Sequence, residues 1–273
     1  MNASIGTLLT VVVYSIALPA GLAIWWKRKT GETLWCFLAG ACCFLLFAMV
    51  LEQILHTAVL LGSSAVSRAI QASPALTIVY AALAAGVFEE TGRMFGFRVL
   101  LRNHREKECA VAYGIGHGGM EVILVLGISY LVYLLASCGI PLGEGEAAET
   151  ILQAASSIRF STAGIAMFER ISAMMAHIGL SMMVFVAARR KGMLWLYPAA
   201  VLLHALLDVP AAFFQLGILR SLWVVEGSAF VAGLVYLLAG WKLLNRYSDT
   251  EPEGNNPSGE APEALGSVPA EEE

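Results

Sequence analysis

The sequence predicts an all-α fold, a polytopic transmembrane helical bundle of about seven spans, and three observations carry that expectation. Of 273 residues, 58% are hydrophobic and 14% charged, against about 45–50% and about 25% in ordinary soluble domains. The apolar residues gather into seven runs long enough to cross a hydrocarbon core of about 30 Å, which takes about 20 residues at about 1.5 Å each. Basic residues cluster on alternate connections between those runs. This composition excludes a soluble enzyme, a disordered chain and a nucleic-acid binder, and it makes the lipid bilayer the first partner.

The first run, 5–26, has no small-residue cleavage site and leads directly into further spans, so it reads as a retained helix rather than a removed signal. Lys27, Arg28 and Lys29 follow it. The second, 34–61, carries Glu52 and His56 near its predicted outer edge, where His56 reads as an interface residue. The third, 74–101, contains FEETGR and leads into Arg102, Arg105 and Lys107, among which His104 reads as solvated. The fourth, 109–137, contains the glycine-rich YGIGHGGME. An acidic outer loop, 143–150, precedes the fifth run, 158–188, which contains FERISAMMAH and is closed by Arg189, Arg190 and Lys191. The sixth, 193–216, contains HALLD. The seventh, 222–244, lies between Arg220 and the basic pair Lys242 and Arg246, and snorkelling at the outer edge accounts for Arg220 and Glu226.

The other connections offer only Arg68, Arg159 and Arg220, so the positive-inside rule places the N-terminus outside and the C-terminus in the cytoplasm. The six tryptophans (Trp25, Trp26, Trp35, Trp195, Trp223 and Trp241) fall close to predicted span ends, where an amphipathic indole is at home. From residue 248 on the chain holds eight acids and no Lys or Arg; without that stretch, 17 basic residues stand against 13 acidic ones, and the net charge turns from −4 to +4. The expected organisation is a transmembrane domain, 1–247, with the site helices within about 74–216, and a disordered acidic cytoplasmic tail, 248–273. Cys36, Cys42, Cys43, Cys109 and Cys138 form no CxxC pair and read as inert packing residues. Neither an internal repeat nor a phosphate-binding glycine loop is visible.

A charged side chain in hydrocarbon costs at least about 2.5–3.5 kcal/mol, so each one requires a partner or a purpose. Glu89, Glu90 and Arg93 lie in the third run, His117 and Glu121 in the fourth, Glu169, Arg170 and His177 in the fifth, and His204 and Asp208 in the sixth. Measured from the nearest basic edge, Glu89 and Glu90 lie roughly 12–14 Å deep and His117 roughly 15 Å; Glu121, His177 and His204 lie roughly 18–21 Å deep. Within each span the spacings of four or seven put the groups on one face. Only Glu169, toward the outer side, reads as structural. A polar cavity between the third to sixth spans follows, and Gly114, Gly116, Gly118 and Gly119 leave room there for another helix, a substrate backbone or water.

Two adjacent carboxylates in a low-dielectric site do not easily both ionise, so Glu89 and Glu90 are suited to take a proton from water and return it to a leaving group. Arg93 is placed to keep one of them charged. Neutral His117, His177 and His204 offer N–H donors to an oxyanion, with Asp208 or Glu121 fixing a tautomer. These are the parts of a hydrolase with carboxylate-activated water.

The same residues resemble the glutamic intramembrane proteases of the CAAX prenyl endopeptidase (Abi/CPBP) clan, and more closely the YhfC-like and PrsW-like membrane peptidases. The resemblance covers roughly 87–210 and rests on the order Glu89-Glu90-Thr-Gly-Arg93, Tyr113-Gly-Ile-Gly-His117 and His204-Ala-Leu-Leu-Asp208, with Arg170 to His177 similar to an intervening Arg-and-His helix. The basic residue follows the Glu pair after two positions, not the three usual in the prenyl endopeptidases, which speaks against a prenylated CAAX substrate. The resemblance implies a protein of a bacterial cell membrane in which Glu89 or Glu90 is the general base. It further implies that His117 and His204 assist or stabilise the oxyanion and that Asp208 orients or binds; Arg93, Glu121, Arg170 and His177 are expected to support them.

The leading expectation is thus an intramembrane glutamic-type peptidase without a cofactor, hydrolysing a membrane-embedded or lipidated peptide. The alternatives are a zinc hydrolase with His117, His177 and His204 as ligands, a proton-coupled transporter and a noncatalytic membrane scaffold.

Overall fold

The computed structural model describes residues 5–248; the acidic tail predicted to be disordered lies, from 249 on, outside the described residues. The described chain is all-helical, with seven helices long and apolar enough to cross a membrane. These are α1 (Ile5–Thr30), α2 (Leu34–Leu60), α4 (Pro74–Leu100), α5 (Lys107–Ser137), α7 (Phe160–Arg189), α8 (Leu196–Gln215) and α9 (Leu222–Ser248). Two shorter helices, α3 (Ala65–Gln71) and α6 (Glu146–Ser157), stand in the connections before α4 and α7.

Local sequence sets the helix ends. Thr33 accepts a hydrogen bond from the Trp35 N–H (3.3 Å) and starts α2. Ser73 does the same for Leu76 (3.4 Å), with Pro74 at the first helical position of α4, where a missing N–H costs nothing. Gly31, at φ 77°, turns the chain out of α1 in a left-handed conformation that other residues adopt only with strain.

Helix α7 is the central pillar, with 67% of its most apolar stretch buried. It packs on α9 and α5, α5 packs on α2 and α1, and α8 packs on α4. Lipid supplies no hydrophobic drive between helices, so close approach at small residues carries the association. The four glycines around His117 are spent in this way on neighbouring helices. Gly114 and Gly118 face α7, Gly116 faces the Phe37 carbonyl of α2, and Gly119 faces Pro19 of α1. A methyl group at Gly116 collides with that carbonyl, which belongs to backbone and has little room to give. Gly116→Ala is therefore expected to lower stability by about 1–3 kcal/mol, measured as a fall in the thermal unfolding midpoint of the detergent-solubilised protein. Gly21→Ala, where nothing lies within 4 Å, is the matched control and leaves the midpoint unchanged or slightly raised.

Three of the spanning helices contain a widened π-helical turn: Phe47–Glu52 in α2, Gly96–Leu100 in α4 and Val122–Gly127 in α5. Each adjoins charged residues: Glu52 closes the first, Arg93 stands one turn before the second, and Glu121 immediately precedes the third. Such turns hold one extra residue and occur often at functional sites.

The cysteines depart from the sequence expectation. Cys36 at the start of α2 and Cys109 at the start of α5 are joined as a disulfide, while Cys43 is free and buried and Cys42 and Cys138 are free and exposed. The pairing spans 73 positions and arises only when α2 packs on α5, so no local spacing announces it.

Candidate functional site

Helices α4, α5, α7 and α8 bring their ionisable groups into one buried cluster centred on Glu89. The His117 Nε2 lies 2.9 Å from Glu89 Oε2, the His177 Nδ1 3.7 Å from the same oxygen, and the His204 Nε2 3.7 Å from Glu89 Oε1. His117, His177 and His204 follow one another with ring centroids 5.4 and 5.9 Å apart. His117 is flanked by Phe44 and by Tyr113, whose hydroxyl donates to the Gly92 carbonyl (3.1 Å).

Around this centre each imidazole is held by a carboxylate. Glu90, fully buried, accepts from the His204 Nδ1–H (2.7 Å) and from Arg93 Nη1 (2.6 Å). Arg93, equally buried, also reaches Ser181 Oγ (3.2 Å) and His177 Nδ1 (2.5 Å) and stands 3.6 Å from Glu89. Glu121 pairs with His177 Nε2 and accepts from Arg170 (2.8 Å), which in turn pairs with Glu169. Asp208 stands 3.8 Å from His204 Nε2 with its side chain 40% exposed.

A cavity of about 160 Å³ opens beside the cluster and is lined by Glu89, Glu121, Arg170, His177, His204 and Asp208, among others. The nine residues singled out in the sequence thus share one site, but their partners differ from the spacing argument. His117 and Glu121 share a helix face without pairing; His117 turns to Glu89 on α4 and Glu121 to His177 and Arg170 on α7.

One further acid belongs to the site: Glu226 on α9, an edge residue by its sequence position, is buried, lines the cavity, and leaves Oε2 without a hydrogen-bond partner. Glu52 on α2 is buried as well and pairs with His56 (3.1 Å), apart from the cavity lining. His56 also bonds the Tyr80 hydroxyl (3.0 Å). The signal for that pair was the four-residue spacing of Glu52 and His56; nothing local distinguishes Glu226.

The donor set suits a divalent metal ion. Ligand atoms of Glu89, His117 and His177 all lie within 4.8 Å of one another, and two imidazoles with one carboxylate form a known catalytic zinc set that leaves a position open. The charge balance permits one. Carboxyl groups outnumber arginines in the cluster, an excess that proton uptake on carboxyls or imidazoles, or a bound cation, can balance. The Glu121 carboxylate behind His177 supplies the outer-shell support that metal-bound histidines receive.

Comparison with known proteins agrees with the donor set. A family model described as YhfC intramembrane metalloprotease matches residues 14–229. A Bacillus subtilis (strain 168) protein, described as uncharacterized membrane protein YhfC, is 36% identical over 222 residues, covering 77% of this chain and 84% of its own length. No solved structure matches. The expectation of a site without a cofactor is therefore corrected, and with it the glutamic type of chemistry. In physical terms, Glu89 stands among imidazole nitrogens as a metal ligand does, a placement that the adjacent Glu-Glu pair in the sequence does not reveal. The zinc alternative named His204 as third ligand; the group within mutual reach takes Glu89 in that place, with His204 beside it.

Proposed function

Because the chain belongs to the YhfC intramembrane metalloprotease family, we propose that it is a metal-dependent peptidase hydrolysing a membrane-embedded or lipidated peptide within the bilayer. The observation that carries this reading is the mutual reach of Glu89, His117 and His177 beside an open polar cavity. A nitrogen- and carboxylate-rich set of three favours zinc. A divalent ion bound there supplies Lewis-acid polarisation of the scissile carbonyl and of water.

The chain's own residues have distinct tasks in this reading. Glu121 pairs with His177 Nε2 and so orients the ring, while Nδ1 meets Arg93, a contact that a metal ion on Nδ1 would have to replace. Glu90 holds His204 through Nδ1–H, so its Nε2 lone pair faces Glu89 and Asp208. His204 and Asp208 then take a proton from the attacking water and return it to the leaving amine. Arg93 bonds Glu90 directly inside the protein, and Arg170 anchors Glu121. The N-terminus lies outside and the C-terminus in the cytoplasm, with the acidic tail as a cytoplasmic appendage to the transmembrane domain. The shared order of motifs supports kinship with the PrsW-like branch.

Metal content tests the reading directly. The purified chain is expected to hold zinc at this site and to lose peptidase activity on chelation, with recovery on zinc return. Glu121→Gln is expected to weaken metal binding or activity by about 10–100-fold, the range for second-layer partners of metal-bound histidines. Chelator-resistant activity in the wild type would overturn the assignment.

A further inference from the structure

At the start of α5 a second set of metal-ligating side chains converges. Ligand atoms of Glu32, Cys36 and His104 all lie within 4.8 Å of one another, and the Cys36 sulfur is joined to that of Cys109. Both cysteines are completely buried, whereas Glu32 and His104 are half-buried. The group is assembled from four segments distant in sequence: the α1–α2 turn, the start of α2, the α4–α5 connection and the start of α5.

The surroundings hold these groups in place. Glu32 Oε1 accepts from the Thr33 N–H (2.8 Å) and lies 3.5 Å from the Cys36 Sγ. The backbone around His104 is tied down by Arg189, whose guanidinium donates to the carbonyls of Leu101, Arg102 and His104, the last at 2.9 Å. His104 is half-buried, where the sequence suggests a solvated loop residue. The Trp26 indole N–H donates to the Glu108 carbonyl (3.0 Å), fixing α1 against the residue next to Cys109.

We propose that Cys36, Cys109, Glu32 and His104 form a second metal site, for a thiophilic divalent ion such as zinc, at the cytoplasmic face of the membrane domain. The proposal rests on the orientation given above, which places this end in the cytoplasm, and is independent of the peptidase chemistry. Cytoplasmic reductants keep cysteine pairs as thiols, so the disulfide seen in the structure and the metal site are two uses of the same sulfurs and exclude one another. On binding, each thiol gives up its proton and donates a thiolate pair, so one ion replaces two protons. Two thiolates, an imidazole and a carboxylate complete the four positions of a closed, structural zinc site, unlike the sulfur-free set deeper in the membrane. Cys109 lies eight residues before His117, about 12 Å along the helix, so the ion would fix the height of α5, and of His117, against α2.

The test is cobalt(II) titration of the full-length protein, solubilised in detergent with a phosphine reductant and with its free thiols counted beforehand. The wild type is expected to take up two equivalents, one of which produces strong sulfur-to-cobalt charge-transfer absorption. Cys36→Ser and Cys109→Ser each remove that absorption and one equivalent, and His104→Ala weakens it. Glu89→Gln leaves the absorption intact while losing the other equivalent, so the two sites fail separately. The proposal is overturned if the reduced wild type, with both thiols titrating, shows no such absorption, if the absorption survives in Cys36→Ser, or if the disulfide withstands the reductant.

Discussion

Glu89→Gln is expected to empty the membrane-embedded site of metal and to reduce peptide cleavage by more than about 10²-fold, beyond the range seen for outer-layer changes. The substitution keeps the size of the side chain and removes the charge that faces His117 at 2.9 Å and stands 3.6 Å from Arg93. Gln retains one carbonyl oxygen, a weak neutral ligand, and places an amide N–H₂ among imidazole nitrogens. Folding should survive, because Glu90 and not Glu89 makes the direct bonds to Arg93 and His204. Metal analysis is cleanest in a Cys36→Ser background, where only the deeper site remains to be counted. Comparison of the membrane proteome between wild-type cells and cells carrying Glu89→Gln should show the natural substrate accumulating uncleaved. Full metal content with undiminished cleavage in the variant would remove Glu89 from the site.

Arg93→Met carries the largest expected effect on stability, about 3–5 kcal/mol, because it leaves a buried carboxylate without its partner. Arg93 has no solvent exposure and bonds Glu90, Ser181 and His177 on three different sides. Arg93→Lys does not repair the loss, since an ammonium lacks the planar fork that spans these acceptors. Combining Arg93→Met with Glu90→Gln removes the two charges together and should recover part of the stability. The check is the thermal unfolding midpoint of each variant in one detergent. An unchanged midpoint for Arg93→Met rejects the view that this arginine holds α4 to α7.

The spans were legible because hydropathy is a local property. The run 74–101 became Pro74–Leu100, and 34–61 became Leu34–Leu60. The convergence of the charged groups was legible as well, since each span carries one polar face, and Glu89, His117, His177 and His204 do meet. Partner choice was not. The four-residue spacing of His117 and Glu121 says that they share a face, yet each is closer to another helix than to the other, and only helix rotation and tilt decide that. The mutual reach of Glu89, His117 and His177 was hidden for the same reason, because it depends on where α7 sets His177. Glu226 looked like an edge residue by its distance from the seventh span's start; the packing of α9 on α7 brings it to the cavity. Cys36 and Cys109 carry no mutual signal across 73 positions.

The widened turns bear on how such a protein can change over generations. In α4 and α5 the site residues precede the extra residue: Glu89, Glu90 and Arg93 come before Gly96–Leu100, and His117 and Glu121 before Val122–Gly127. Because the turn absorbs its extra residue, losing one residue within Val122–Gly127 would restore an ordinary helix and leave the facing of Ile128–Ser137 unchanged. Nothing that touches Glu89 lies in that portion. A one-residue change in the length of α5 is thus taken up within the turn, so the outer half keeps its packing on α1 and the half that carries the histidine keeps its aim.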